Sequence, residues 1–188
     1  MSDNAGGFEA LRSKLQLGQD SRLTLNRQEM ILLPRHFFRY ILRDVNAVSG
    51  SKAFRKIFWK AGHDGAETFC RRFQEVHRCT ARQAVEGYLN EMSLRGWGQF
   101  SILRFEPQAG LMEVALRNSA LPAEADLPSG NLIWEGAMCG AMAFVRQDLG
   151  KVQHAPTATG GAVQNKDATP YYHIVVSCEP ERKGSDES

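Results

Sequence analysis

SLRGWGQFSILRFEPQAGLMEVAL, residues 93–116, is the stretch that decides the fold. After Gly96-Trp97-Gly98 it continues as two short predicted strands, about Gln99–Phe105 and Leu111–Leu116. Pro107 and Gly110 supply the turn chemistry between them. The first strand alternates Phe100, Ile102 and Arg104 with Ser101, Leu103 and Phe105, which predicts burial on both faces. Helical patterns lie on both sides of this hairpin, so it begins a sheet on which helices pack.

The helical patterns are marked by apolar spacing and by residues that start or stop helices. Thr80 is a predicted N-cap, and Gln83 stands at the capping-box position three residues later. Asn131 is a second predicted cap, and we expect a break near Gly62 in the longest helix. The predicted helices are Pro34–Val48, stopped by Ser49-Gly50, then Ser51–His77, Thr80–Gly96 and Leu132–Leu149.

The remaining apolar runs predict three more strands. Two are short, at Arg22–Asn26 and Met30–Leu33, and the last, Pro170–Ser177, is rich in β-branched and aromatic residues. Lys151–Thr169 has few apolar residues and two adjacent glycines, so it is predicted to be a loop. This order predicts an α+β fold, an antiparallel sheet covered by helices. A single domain over 21–178 is expected between flexible segments at 1–20 and 179–188.

Composition excludes several classes of function. The chain has 188 residues, 43% of them hydrophobic, and a net charge of +2. This length and hydrophobic content predict one globular domain with room for a core. The sequence has no Lys/Arg cluster interleaved with aromatic residues, which is the pattern that indicates nucleic-acid binding. No apolar run approaches the roughly 20 residues that cross a bilayer. The N-terminus lacks a signal-peptide pattern, so a cytoplasmic location and four reduced, buried cysteines are expected.

The sequence contains no dinucleotide or Walker glycine loop, no His-Glu-x-x-His and no Gly-x-Ser-x-Gly. His63-Asp64 lies within a predicted helix, where neighbouring side chains point in different directions, so it is not a ready catalytic dyad. We therefore expect no catalytic residues, no cofactor and a protein that is not an enzyme.

Small and aromatic residues suggest a ligand pocket. Gly62, Gly65, Gly136 and Gly140 remove side-chain volume from two helices that face the same sheet. Aromatic residues at neighbouring positions then line an apolar pocket between those helices and the hairpin. The predicted ligand-binding residues are Phe58, His63, Phe69, Trp97, Phe100, Trp134 and Phe144, with His63 as the polar contact. The alternative is that the glycines only allow close helix packing and the aromatic residues fill an ordinary core.

Several pieces of the sequence resemble the 4-vinyl reductase domain family. The matching region runs from about Val48 to Ser177 and includes Gly50 with Ala53, Ala61-Gly62 with Gly65, Gly96-Trp97-Gly98, Val114–Ser119 and Gly136–Gly140. The family shares its fold with subunits of the vesicle-tethering transport-particle complex, within the NO-signalling and Golgi-transport ligand-binding superfamily. It also includes phenol- and toluene-sensing domains of bacterial transcriptional activators. The resemblance implies a small-molecule-binding domain, dimeric like many relatives.

The sensing members of that family hold zinc with a Glu and several Cys near the domain's C-terminal end. The corresponding region here, 151–177, contains neither residue type, and Tyr172 stands about where a ligand Cys is expected. The resemblance therefore does not carry the zinc to this chain, and no metal is expected. A rebuilt site using Cys139, His154 or His173 is the alternative, although zinc sites usually need about four ligands.

The chain also resembles stand-alone bacterial proteins encoded beside dimethylglycine and methylproline demethylase subunits. That resemblance suggests two functions. One is a non-catalytic sensor or accessory protein that binds a small hydrophobic or methylated-amine ligand, for which aromatic faces offer cation–π attraction. The other is an interaction or assembly subunit of a neighbouring oxidoreductase. A homodimer is expected in both, because Phe37, Phe38 and Tyr40 cannot all face one core.

Overall fold

The computed structural model describes residues 9, 11–20, 22–25, 28–121, 131–151, 155–164 and 170–178. Residues 179–188, and most of the first eleven, lie outside this described part. In chain order the elements are β1 (Leu15–Leu17), β2 (Leu23–Leu25), β3 (Gln28–Met30), α1 (Arg35–His77), α2 (Ala81–Leu94), β4 (Gln99–Glu106), β5 (Leu111–Arg117), α3 (Leu132–Asp148), β6 (Thr157–Val163) and β7 (Tyr171–Ser177).

The main sheet has the strand order β4-β5-β7-β6, and every neighbouring pair is antiparallel. Helices cover one face of it, and on that face the two central strands contribute fully buried side chains: Met112, Val114, Leu116, Ile174 and Val176. The other face is more polar, and on it His173 Nε2 lies 3.1 Å from Glu113 Oε2. This confirms the predicted α+β class, an antiparallel sheet covered by helices.

The hairpin lies where the sequence predicts it, but its first strand is not buried on both faces. A β-bulge interrupts the register between Ile102 and Arg104, so Leu103 has no partner on β5. Beyond the bulge Arg104 pairs with Glu113 on the polar face, and Phe105 pairs with Met112 on the helix-covered face. The predicted alternation, and with it the burial of both faces of this strand, was therefore wrong. β4 also lies at the edge of the sheet, and edge strands are exposed along one side.

The prediction of a loop over Lys151–Thr169 is wrong at the centre of that range. Strand β6 lies there and pairs with all of β7. Its sequence, TATGGAV, has little apolar character because an edge strand needs few buried side chains. Gly160 and Gly161 lower the strand propensity further, and pairing with the hydrophobic β7 overrides that preference.

Helix α1 contains the predicted stop at Gly50 but no break at Gly62. Gly50 has φ 75° and ψ 156°, a conformation that only glycine adopts readily, and it divides α1 into the segments 35–49 and 51–77. The helix continues regularly through Gly62, which is buried. Glycine at that position therefore has a packing reason and not a conformational one.

The capping box at the start of α2 is confirmed. Thr80 Oγ1 accepts from the Gln83 amide at 3.3 Å, and the Thr80 amide donates to Gln83 Oε1 at 3.0 Å. Asn131 does precede α3, but its side chain makes no capping hydrogen bond. Instead Asn131 Oδ1 accepts from Ser119 Oγ at 2.9 Å, which ties the start of α3 to the end of the hairpin.

β1, β2 and β3 form a separate small antiparallel sheet. β2 lies within the predicted strand Arg22–Asn26, whereas the second predicted strand, Met30–Leu33, is displaced: β3 ends at Met30. Ile31 and Leu32 follow it with 79% and 76% of their surface exposed. β1 lies inside the segment 1–20 that was expected to be flexible. Among the residues described, none belongs to a helix long and apolar enough to cross a membrane.

Candidate functional site

Helices α1 and α3 cross at backbone contact. A Cβ atom on Gly62 of α1 would overlap the carbonyl oxygen of Ile133 in α3. Reciprocally, Cβ atoms on Gly136 and Gly140 would overlap the carbonyl oxygens of Trp59 and His63 in α1. The space that these three glycines leave is therefore filled by the partner helix. The glycine argument for a pocket was wrong, and the alternative of close packing accounts for these positions.

Four aromatic side chains meet beside this crossing, where α1, α3 and the hairpin converge. We call Phe38, Trp97, Phe100 and Trp134 the aromatic cluster. Trp97 contacts Phe38 and Trp134 edge to face, both with ring centroids 5.6 Å apart. Phe100 contacts Trp134 in the same way at 4.9 Å. Three of the seven predicted binding residues are thus brought together, in a geometry that aromatic pairs prefer.

The turn after α2 fixes Trp97 in this position. The Trp97 amide donates to the carbonyl of Met92 at 3.2 Å, and the Trp97 carbonyl accepts from the Ala120 amide at 2.9 Å. Phe100 is held from the same helix, because its amide donates to Ser93 Oγ at 3.2 Å. These bonds link the end of α2, the start of β4 and the exit from β5, so the cluster has a rigid frame.

Trp134 carries a polar group that the described residues leave unsatisfied. The side chain is 4% exposed, and no described residue accepts a hydrogen bond from its indole Nε1–H. Buried donors nearly always have a partner, and leaving one without costs about 1–3 kcal/mol. A ligand oxygen that accepts from Nε1–H would remove this cost.

A groove of about 610 Å³ runs between α2 and β4 and reaches the aromatic cluster at Phe100. We call it the α2–β4 groove. Its remaining lining residues are Arg82, Glu86, Leu89, Asn90, Ser93, Gln99, Ile102, Leu103, Arg104 and Phe105. Arg82 pairs with Glu86 at 2.9 Å, and Arg104 pairs with Glu106 at 2.9 Å. Because these rim charges pair with each other, the groove suits a neutral ligand.

Sequence reasoning did not identify the α2 side of this groove. Arg82, Glu86, Leu89 and Ser93 recur at helical spacing on one face of α2, and only four residues separate α2 from β4. A helix joined to a strand by so short a turn must lie beside it. That spacing was the available signal.

The other four predicted binding residues lie away from the cluster. Phe69 contacts Phe73 and Tyr88, with centroids 5.8 and 5.2 Å apart, and Phe58 contacts Phe54 at 4.6 Å. Phe144 is buried in the core. His63 lines a different groove, at the β6 edge of the sheet, and its Nδ1 lies 3.2 Å from Asp64 Oδ1. These neighbouring side chains do meet, contrary to expectation, although Asp64 is also paired with Lys60.

No group of three or more His, Cys, Asp or Glu residues in the described part of the chain is arranged to hold a metal ion. His173 is engaged with Glu113, and His154 lies outside the described residues. Burial raises the pKa of the Cys139 thiol to about 12, with smaller contributions from Cys178 and Glu135. Without a metal, a thiol with that pKa stays protonated at neutral pH.

We expect purified protein to contain no stoichiometric zinc, because no three His, Cys, Asp or Glu side chains among the described residues are arranged to hold a metal ion. Elemental analysis after dialysis measures this directly. About one zinc per chain would contradict the expectation.

Comparison with known proteins gives a fold and a partial family match. The profile of a domain of unknown function (DUF5943) matches residues 14–103. No curated protein matches the sequence. The phenol-responsive sensory domain of the transcription activator PoxR, solved with phenol, is similar in structure with a TM-score of 0.67 and 13% identity. The alignment covers 95% of this chain and 91% of that domain.

A second similar structure is trafficking protein particle complex subunit 3 from Naegleria fowleri, solved with covalently bound palmitic acid. Its TM-score is 0.45 and its identity 10%, over 77% of this chain and 92% of that one. The similarity to the PoxR sensory domain confirms the predicted 4-vinyl reductase-like fold.

Proposed function

We propose that this protein is a non-catalytic sensor or accessory protein that binds a small aromatic molecule at Trp134. One observation carries the proposal: a buried indole N–H that finds no acceptor among the described residues, in an aromatic cluster that a groove reaches through Phe100. The fold shared with a phenol-responsive domain supports it. The ligand enters from the α2–β4 groove, packs on Trp97 and Phe100, and accepts a hydrogen bond from Trp134.

The same geometry selects among ligand classes. Trp134 offers a donor, so a phenol-like oxygen satisfies it and a methylated ammonium, which has no acceptor, does not. Methylated amines interact favourably with the ring faces of Trp97 and Phe100 but leave the indole N–H unpaired. The link to methylated-amine catabolism stays a prediction, and we rank a neutral aromatic hydroxyl compound before it.

The test is a thermal shift and calorimetric titration with phenol as the probe. Trp134→Phe keeps an aromatic ring but removes the donor, so phenol affinity falls about tenfold or more, the worth of one hydrogen bond from a buried group. Trp59→Phe is the matched control, because Trp59 lines the groove at the β6 edge of the sheet. The affinity of this variant for phenol is unchanged. No saturable binding to wild type, or equal affinities in the two variants, would rule the proposal out.

We also infer that a second copy of the chain covers an apolar surface at the start of α1. Ile31, Leu32, Leu33, Phe37, Tyr40 and Ile41 are large exposed side chains on this surface, which we call the N-terminal apolar face. Phe38, next to it, is turned inward onto Trp97. Contiguous apolar surface of this extent usually marks an interface. Ile31, Leu32 and Leu33 precede α1, and Phe37, Tyr40 and Ile41 lie on its first segment. Two copies related by a twofold axis would bury these same residues on each other.

The dimer is tested by light scattering at tens of micromolar protein. Wild type gives the mass of two chains, and Phe37→Glu gives one, because a charge in a buried apolar interface lacks a partner. Val76→Glu is the control, since Val76 is 68% exposed near the other end of α1, and its mass stays that of a dimer. A monomeric wild type would contradict the proposal. A different protein, such as the predicted oxidoreductase subunit, would then cover the N-terminal apolar face.

A further inference from the structure

A second groove, of about 530 Å³, lies at the opposite edge of the main sheet, between α1, α3 and β6. We call it the α1–β6 groove. Its lining includes Lys56, Trp59 and His63 from α1, Glu135 from α3 and Ala158 from β6. None of these residues belongs to the aromatic cluster or to the α2–β4 groove.

Two stacked rings form one wall of this groove. Trp59 and His63 are one helical turn apart on α1, and their rings are nearly parallel, 24° apart with centroids at 5.2 Å. Both side chains are partly exposed. Their backbone carbonyls are fixed against Gly136 and Gly140 of α3, so the helix that carries the wall cannot easily shift. Because each ring covers one face of the other, a planar ligand can extend this preformed stack on an outer ring face.

A buried carboxylate lies in the same groove. Glu135 is 8% exposed, and its Oε1 accepts a hydrogen bond of 2.5 Å from the Tyr172 hydroxyl. A Cβ atom on Gly160 of β6 would come within 2.7 Å of Glu135 Oε1 and 2.5 Å of the Tyr172 oxygen, so glycine makes room for this pair. A carboxylate accepts several hydrogen bonds, and one from tyrosine leaves capacity for a donor on a ligand.

Cations dominate the mouth of the groove. Lys60 is paired with Asp64, whereas no acidic partner of Arg55 or Lys56 occurs among the described residues. The lining thus has three cationic side chains to two carboxylates, with one of those carboxylates buried at the base. Such an arrangement attracts a negative group to the mouth and a hydrogen-bond donor to the base.

We propose that the α1–β6 groove binds an aromatic carboxylic acid that also carries a hydroxyl or ammonium donor. The ligand's carboxylate meets Arg55 and Lys56, its ring stacks on an outer face of the Trp59–His63 pair, and its donor reaches Glu135. Each of the three contacts uses different side chains of the groove, so the complete ligand binds more tightly than a molecule with only two of the groups. This site is independent of the phenol site at Trp134.

The probe is 4-hydroxybenzoate, and benzoate is its matched control, since it lacks the hydroxyl donor. Calorimetric titration of wild type gives saturable binding of 4-hydroxybenzoate that is at least about tenfold tighter than that of benzoate. Glu135→Gln and Lys56→Gln each weaken 4-hydroxybenzoate binding about tenfold, and Glu135→Gln also removes the advantage over benzoate. Trp134→Phe leaves 4-hydroxybenzoate binding unchanged, which separates this site from the phenol site.

Absence of saturable binding at millimolar probe would overturn the proposal. So would equal affinity for benzoate and 4-hydroxybenzoate in wild type, or affinities that neither substitution alters. Lys56 is exposed, so Lys56→Gln keeps the test valid even if Glu135→Gln disturbs the Tyr172 contact. Binding that is lost in Trp134→Phe and retained in Lys56→Gln would also contradict it, because the acid would then occupy the aromatic cluster.

Discussion

Replacing Gly140 by alanine lowers the free energy of unfolding by about 3 kcal/mol or more, which is the upper part of the range for overpacked cores. The added methyl group would overlap the backbone carbonyl of His63, which cannot rotate away as a side chain can. The helices α1 and α3 must then move apart along their shared contact. A shift of that kind loosens the packing of the core between them. Urea unfolding followed by circular dichroism measures the loss.

Gly65→Ala is the matched control for this prediction. Gly65 also lies in the interior of α1, but no atom lies within 4 Å of where its Cβ would be. Alanine there stabilises the protein by about 0.5–1 kcal/mol, because it favours the helix and restricts the unfolded chain. If both substitutions had the same sign, the close crossing of α1 and α3 would not be the reason for glycine at position 140.

Replacing Gly50 by alanine destabilises the protein by about 1–3 kcal/mol, for a different reason. The space around Gly50 is open, so no clash opposes the methyl group. The cost comes from φ 75° and ψ 156°, which alanine adopts only under strain. The chain either keeps the kink and bears the strain, or straightens α1 and moves Phe38 away from Trp97.

Gly65→Ala again serves as the comparison, since positions 50 and 65 are both open and differ in backbone conformation alone. Differential scanning calorimetry of the two variants should therefore show shifts of opposite sign. An unchanged or raised melting temperature in Gly50→Ala would show that the kink is not a fixed feature of α1.

Much of the architecture was predictable because local signals and tertiary packing agree there. Thr80 with Gln83 marks the start of α2 by side-chain chemistry alone, and the structure contains both capping bonds. Pro107 and Gly110 mark the turn of the hairpin. Gly50 predicts the end of a helical segment, and the backbone does leave the helical conformation at that residue. In each case one or two residues determine the conformation of their own neighbourhood.

Features that depend on distant partners were not predictable. β6 has a weak strand sequence and exists because β7 supplies a complete hydrogen-bonding edge. The bulge at Leu103 places Arg104 and Phe105 on the faces opposite to those that simple alternation predicts. The sequence pattern of β4 does not indicate this bulge. Gly62, Gly136 and Gly140 were recognised as unusual, but what fills the space beside them depends on how the two helices cross.

The candidate site divides in the same way. Trp97, Phe100 and Trp134 were predicted to line one site, and the structure brings these three together. His63 was expected beside them but lies at the other edge of the sheet, in the α1–β6 groove. The contribution of Ser93 and the role of Glu135 with Tyr172 emerge only when α2 meets β4 and α3 meets β7. Residue type suggested aromatic binding surfaces, and tertiary structure divides them between two grooves.

The most direct measurement of the central claim is the indole N–H resonance of Trp134 in ¹⁵N-labelled protein during titration with phenol. The chain has three tryptophans, so single Trp→Phe variants assign the three indole signals. The account predicts that the Trp134 signal moves downfield along a saturable curve, because its buried N–H gains an acceptor, while the Trp59 signal stays in place. A Trp134 signal that does not move while phenol saturates the protein would contradict it.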